Sequence, residues 1–275
     1  MCNKDTAPIV LNNLNFAYNE KHILKNINIS FERNKFYSIL GPNGSGKTTL
    51  LKNILKALPT TDKTIYIDAF DINNYKNKDL AKKMSSVPQN TNLEFDFTSF
   101  DVVLMGRSPH LKRFERETNK DYEIVREAME ITNTWHLKDK YINQLSGGER
   151  QKIIIARALA QESSIILLDE PISNLDIQNQ IEIMDTLKFL NRDVTIISVL
   201  HDLNLAAQYS DYILLLKNGE IFFKGTPEKV LSVNNLKYVY DVNTYIIKNP
   251  VTGKPHIIPI SKNFLYNNLN INKAF

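Results

Sequence analysis

Apolar and polar positions change period several times along the chain, and each change marks an element. Near the start, Leu14, Phe16 and Tyr18 alternate with polar neighbours, and so do Ile27, Ile29 and Phe31. A period of two puts alternate side chains on one face, so the first forty residues read as strands that turn back at about Asn19–Lys21. Phe36–Leu40 is a short unbroken apolar run that stops at a glycine-rich stretch. From Lys47 to about Leu58 the apolar spacing is helical, which predicts strand, loop, helix. Two further apolar runs, Ile165–Leu168 and Val194–Leu200, end in Asp169-Glu170 and in His201. Strands that are apolar on both faces, with helices between them, indicate a parallel α/β sheet. Such sheets bind ligands beyond the carboxyl ends of their strands.

The middle of the chain, about residues 90–160, lacks strand signals. Asp121–Asn133 and Gly148–Ala160 carry helical spacing, so this part is expected to be a mostly helical insertion. A helix is expected after His201, then a strand pair about Lys217-Asn218-Gly219-Glu220, because Asn-Gly suits a tight hairpin turn. The division expected is one domain over residues 9–240 and a tail over 241–275, with no internal repeat.

Composition narrows the possibilities. The 275 residues are 43% hydrophobic and 23% charged, with a formal net charge of +4. That suits an ordinary globular chain, and without a block of like charge no nucleic-acid partner is expected. Cys2 is the single cysteine, so no internal disulfide can form. No apolar core follows it, and Cys2 reads as an unremarkable terminal residue rather than part of a signal peptide or an acylation site. The longest apolar runs, such as Tyr212–Leu216 and Thr195–Leu200, are strand-sized. Work at a membrane would require partners that hold the chain there.

The chemistry is concentrated at three places. Gly41-Pro42-Asn43-Gly44-Ser45-Gly46-Lys47-Thr48 fits G-x-x-x-x-G-K-[ST] in full and is followed by Thr49. Its glycines let successive N–H groups face an anion, at the start of a helix whose dipole is positive there. Lys47 supplies charge to the β- and γ-phosphates, and Thr48 supplies a hydroxyl to Mg²⁺. Asp169 and Glu170 stand where a buried strand opens; Asp169 suits a metal ligand and Glu170 a general base for water. Leu145-Ser146-Gly147-Gly148-Glu149 lies between these two motifs. Ser146 can cap a helix, and the same donors can clamp an anion.

These motifs, in this order, resemble those of ATP-binding-cassette (ABC) ATPases. Leu145–Glu149 is similar to the family signature LSGGQ, with Glu149 in the last place. The resemblance covers about residues 9–230 and implies a P-loop NTPase core with a parallel sheet, an N-terminal antiparallel β subdomain and a helical insertion. It assigns Asp169, with Thr48 and Gln89, to Mg²⁺, and ATP to the phosphate loop and to Ser146, Gly147 and Gly148. It further implies that Gln89 of Val87-Pro88-Gln89 is the Q-loop glutamine, Ser173-Asn174-Leu175-Asp176 the D-loop and His201 the switch histidine. Tyr18 takes the place of the aromatic that stacks on adenine. Read without the resemblance, Gln89 is a polar loop residue, His201 a structural histidine and Tyr18 part of a strand. By the same analogy the working unit is an ATP-dependent head-to-tail homodimer.

Two other segments point to a subclass. Asp101-Val102-Val103-Leu104-Met105-Gly106-Arg107-Ser108-Pro109-His110, and the tail segments Gly225-Thr226-Pro227-Glu228 and Thr252–Pro259, are similar to ATPases of ferric-siderophore, haem and cobalamin importers. The implied partners are transmembrane permease subunits, with a substrate-binding protein engaged indirectly, and a peripheral location on the cytoplasmic face of the membrane. Arg107 and His110 are expected to touch the permease; the other reading of that segment is a proline-containing loop with no partner. The alternatives are an ABC ATPase of another transporter class or a nontransport ABC switch. Against the latter, the chain has one cassette and no heptad insertion.

Overall fold

The computed structural model describes residues 7–89 and 96–261; Cys2 and the last fourteen positions, 262–275, lie outside the described residues. The chain opens on an antiparallel pair, β1 (Ile9–Tyr18) and β2 (Lys21–Phe31). Leu11 and Leu14 are both buried although three residues apart, and so are Leu24 and Ile27. Strict alternation cannot do this, so each strand carries a bulge, at Asn13 (φ 51°) and at Asn26 (φ 49°). Each bulge is held from the opposite strand. Asn13 N–H donates to Asn28 Oδ1 at 2.8 Å, and Asn26 N–H donates to Asn15 Oδ1 at 2.9 Å.

There follow β3 (Phe36–Leu40), α1 (Lys47–Ile54), β4 (Ile65–Ile67), β5 (Phe70–Asp71), α2 (Asn77–Ala81) and β6 (Met84–Val87). The helical part contains α3 (Ser99–Leu104), α4 (Asn119–Ile131) and α5 (Gly147–Ala160). Then come β7 (Ile165–Asp169), α6 (Ile177–Leu190), β8 (Thr195–Val199), α7 (Leu203–Tyr209), β9 (Tyr212–Lys217) and β10 (Glu220–Gly225). The last elements are α8 (Pro227–Val230), α9 (Val233–Tyr240), β11 (Asn243–Lys248) and β12 (Pro255–Ile260).

The central sheet has the order β10-β9-β3-β8-β7-β6 and is parallel except for β10 at its edge. Neighbouring residues of its strands enter two cores. Tyr37, Ile39, Leu167, Ile197 and Leu214 face α1 and the β2-β1-β4-β5 sheet, whereas Phe36, Leu40, Leu168, Ile196 and Leu215 face the helices. The unbroken apolar runs are therefore strands covered on both sides. The Asn218-Gly219 hairpin forms as expected, with both residues at positive φ.

Three expectations change. Helix α1 ends at Ile54, not near Leu58. Lys56 turns left-handed (φ 57°), and Ala57 N–H donates to the Lys52 carbonyl, a helix stop the apolar spacing does not register. The short strands β4, β5 and β6 and the β11–β12 hairpin carried no recognised signal.

Arg107 is the third correction. Its side chain is 5% exposed and is spent inside the helical part: Nε on Asp121 at 2.9 Å, Nη1 on Glu162 and on the Ala160 carbonyl, both at 2.7 Å. His110 Nε2 likewise lies 2.9 Å from the Gln161 carbonyl. Asp121 is pulled down to about 2, first by the Thr118 N–H, then by the Thr118 hydroxyl and Arg107 against the cost of burial. That stabilisation is complete above the ordinary carboxylate range and is lost as pH falls toward 2. Arg107→Ala strands a buried carboxylate and is expected to lower unfolding stability by about 3 kcal/mol. Urea denaturation of Arg107→Ala, Asp121→Asn and the double variant checks it; the double variant should cost clearly less than the sum of the two.

Candidate functional site

The carboxyl ends of β3, β6, β7 and β8 bring the phosphate loop, Gln89, Asp169, Glu170 and His201 together. The loop after β3 runs into α1 with Gly46 as the residue before the helix, at φ 102°. A Cβ at Gly46 would press on the Leu24 side chain at 2.9 Å and the Ile23 carbonyl at 3.2 Å, so only glycine fits. The β9–β10 turn braces the loop from behind. Gly219 N–H donates to the Ser45 carbonyl at 3.2 Å, and the Gly219 carbonyl accepts from Lys25 N–H at 2.8 Å.

Lys47 is 6% exposed, and its ammonium donates to the carbonyls of Gly41 (2.8 Å) and Pro42 (3.1 Å). Burial pushes it below the ordinary lysine range, while Glu170 and Asp169 oppose that shift. A charge held on the loop's own carbonyls can turn to a phosphate with little reordering. Ser45 Oγ is buried with no hydrogen-bond partner among the described residues. A cleft of about 340 Å³ opens over the loop, lined by Lys21, Ile23 and Asn43 besides Gly44, Gly46–Thr49 and Glu170. Lys21 and Ile23 follow a turn and carried no sequence signal for such a place.

Thr48 Oγ1 donates to Asp169 Oδ1 at 3.1 Å. Burial pushes the Asp169 carboxyl up, only partly offset by the Thr48 hydroxyl, so its ionised form would gain from a cation. A hydroxyl and a carboxylate oxygen form a hard donor pair suited to Mg²⁺, which takes few protein ligands and completes its shell with phosphate oxygens and water. The described residues hold no group of three or more His, Cys, Asp or Glu placed to bind a metal.

Glu170 follows with φ 53°, unusual for a residue with a side chain. The strand ends there, and Glu170 N–H donates to the Val199 carbonyl of β8. One carboxylate oxygen lies 2.5 Å from His201 Nε2, and the other accepts from Gln89 Nε2 at 2.7 Å. Thus Gln89, Glu170 and His201, 81 and 31 residues apart in their two pairings, meet at one point. Ser173 fixes the turn beyond by donating its hydroxyl to the Glu170 carbonyl at 3.0 Å. Tyr18 is 44% exposed, edge-on to Phe16 at 4.9 Å, at the end of β1.

Ser146, Gly147 and Gly148 are placed elsewhere. They begin α5, and none of them lines the phosphate-loop cleft. One chain therefore does not bring both halves of the anticipated ATP site together.

A phosphate loop, a threonine hydroxyl on a buried aspartate and a glutamate held between a glutamine and a histidine are the arrangement expected of a P-loop nucleotide hydrolase. The ABC transporter family pattern matches residues 24–173. The chain is 46% identical over 247 residues to an ABC transporter ATP-binding protein of Methanocaldococcus jannaschii, covering 89% of this chain and 95% of the relative. It is 35% identical over 251 residues to the ferric enterobactin transport ATP-binding protein FepC of Escherichia coli, covering 90% and 93%. Among solved structures, a metal-chelate type ABC transporter in an inward-facing conformation superposes with a TM-score of 0.82 at 28% identity, covering 94% of this chain and 99% of that one. A dimeric ABC transporter cassette superposes at 0.70 with 32% identity, covering 80% and 98%. The chain belongs to the ABC transporter family, as an ATP-binding and ATP-hydrolysing cassette.

Proposed function

We propose that this cassette powers a membrane importer for ferric-siderophore-type chelates, with MgATP hydrolysed between two copies and the work delivered to a separate permease. The observation that carries the hydrolytic part is the meeting of Gln89, Glu170 and His201 beside the phosphate loop. The loop N–H groups and Lys47 hold the β- and γ-phosphates. Mg²⁺, when bound to Thr48 and Asp169, supplies charge neutralisation on those phosphates. Gln89 and His201 orient Glu170, which takes the proton of the water attacking the γ-phosphorus as the bond to ADP breaks. Tyr18 provides an aromatic face for adenine. Ser146, Gly147 and Gly148 of a second copy close the site, because they begin a helix whose N–H groups suit a phosphate.

The import reading rests on the kinds of transporter that the relatives serve and on a groove beside the corrected segment. With Arg107 turned inward, Ser108 and Pro109 join Met105, Asn77, Lys56 and Gln161 around a groove of about 520 Å³ between α2 and the helical part. No described helix is long and apolar enough to cross a membrane. In this reading a permease element docks in the groove and holds the chain at the cytoplasmic face. Met105→Glu puts a charge on the groove wall. It is expected to reduce co-purified permease at least about tenfold while the MgATP-dependent dimer persists; burying an unpaired charge costs that much or more. The whole reading is tested by co-expressing the chain with its permease and measuring ATPase in liposomes. Stimulation by a ferric chelate on its binding protein supports it, and stimulation only by an unrelated solute, or recovery of the chain with ribosomes or DNA, overturns it.

A further inference from the structure

We infer that Glu149 restrains the Ser146 clamp, holding in the free chain the hydroxyl that must pass to the γ-phosphate bound by a second copy. The inference rests on the two-copy reading above. It starts from the one position where the signature departs from the family pattern.

Ser146 caps α5 in a reciprocal arrangement. Its hydroxyl and its backbone N–H both donate to Glu149 Oε2 at 2.8 Å, and Ser146 Oγ accepts from Glu149 N–H at 3.3 Å. A hydroxyl has a single proton. While that proton is given to Glu149, it cannot be given to a phosphate oxygen. The bond to be exchanged is charge-assisted, the stronger kind. The Ser146 N–H and then its hydroxyl also hold the Glu149 carboxyl below its ordinary range, so it stays charged at neutral pH. Closing the clamp therefore means breaking a bond to an anion and bringing a second anion onto the same helix end. A glutamine in that place keeps a carbonyl acceptor for the cap but carries no charge, so both costs fall.

A purely structural cap and a restraint differ in sign. If Glu149 only caps α5, Glu149→Gln lowers the melting temperature and weakens every function of the helix, clamping included. If Glu149 restrains Ser146, the same change lowers or leaves the melting temperature and makes clamping easier. The experiment places Glu149→Gln in a Glu170→Gln background and follows dimer formation by sedimentation against MgATP, with melting curves alongside. The half-maximal MgATP concentration is expected to fall about threefold to tenfold, the scale of exchanging a charge-assisted for a neutral bond. In the chain with Glu170 intact, KM for ATP should fall with it. An unchanged or higher MgATP requirement, with Glu170→Gln alone forming the dimer, overturns the restraint and leaves the two-copy reading standing. Absence of any MgATP-dependent dimer in Glu170→Gln alone overturns both.

Discussion

Glu170→Gln is expected to yield a cassette that binds MgATP, pairs with a second copy and does not turn over. The substitution leaves Thr48 and Asp169 in place, so the metal pair survives. Gln has nearly the shape of Glu and can still meet Gln89 and His201, but it cannot receive a proton from water. Losing a general base costs about 10²–10⁴ in rate. Removing the negative charge beside the γ-phosphate also favours the closed pair. Phosphate release and light scattering with and without MgATP measure both consequences. Near-normal hydrolysis would remove Glu170 from the catalytic role; a silent but monomeric variant would leave that role and remove the clamped pair.

Lys47→Ala is expected to abolish useful ATP binding while sparing the fold. Two charge-assisted bonds to phosphate oxygens at about 1.5–3 kcal/mol each amount to at least about a hundredfold in affinity. In the free chain the lysine contributes little of that kind to stability. Its ammonium is buried at a cost that lowers its pKa, and its bonds go to loop carbonyls. Isothermal titration with MgATP should therefore lose its signal while the melting temperature stays within a few degrees. A collapsed melting temperature would show instead that Lys47 holds the loop together.

What the sequence disclosed and what it hid follow from how far apart the cooperating residues lie. The phosphate loop is legible because its requirements are local: positive φ at Gly46, a following helix, and a lysine and a threonine at fixed offsets. The signature at Ser146 is legible for the same reason. The meeting of Gln89 with Glu170 and His201 is not local, and only the resemblance to a family connected them. Arg107 shows the opposite failure. Its motif is plain in the sequence, but the direction of its side chain depends on Asp121 and Glu162, 14 and 55 residues onward. Spacing alone could not show that a charged residue in a loop faces inward. Strands such as Ile65–Ile67 are too short to display a period, and their identity comes from the neighbour they pair with. The bulges at Asn13 and Asn26 break the alternation where they occur, so the strand pattern was readable on either side of them but not across them.

The helix that follows His201 is also fastened at its far side. The Asn204 amide joins β12 in both directions: its oxygen accepts from Ile257 N–H at 2.7 Å and its nitrogen donates to the Ile257 carbonyl at 3.2 Å. The Ile257 side chain, 2% exposed, belongs to the same core as the central sheet and the helices. A chain cut after Tyr240 would keep every motif by which the cassette is recognised. It would nonetheless leave a carboxamide without its two mates and an apolar hole beneath α7, three residues from the His201 that meets Glu170. Fragments trimmed to the recognisable motifs are thus poor stand-ins for the enzyme, and the hairpin serves as a keystone for a helix it follows by half a hundred residues.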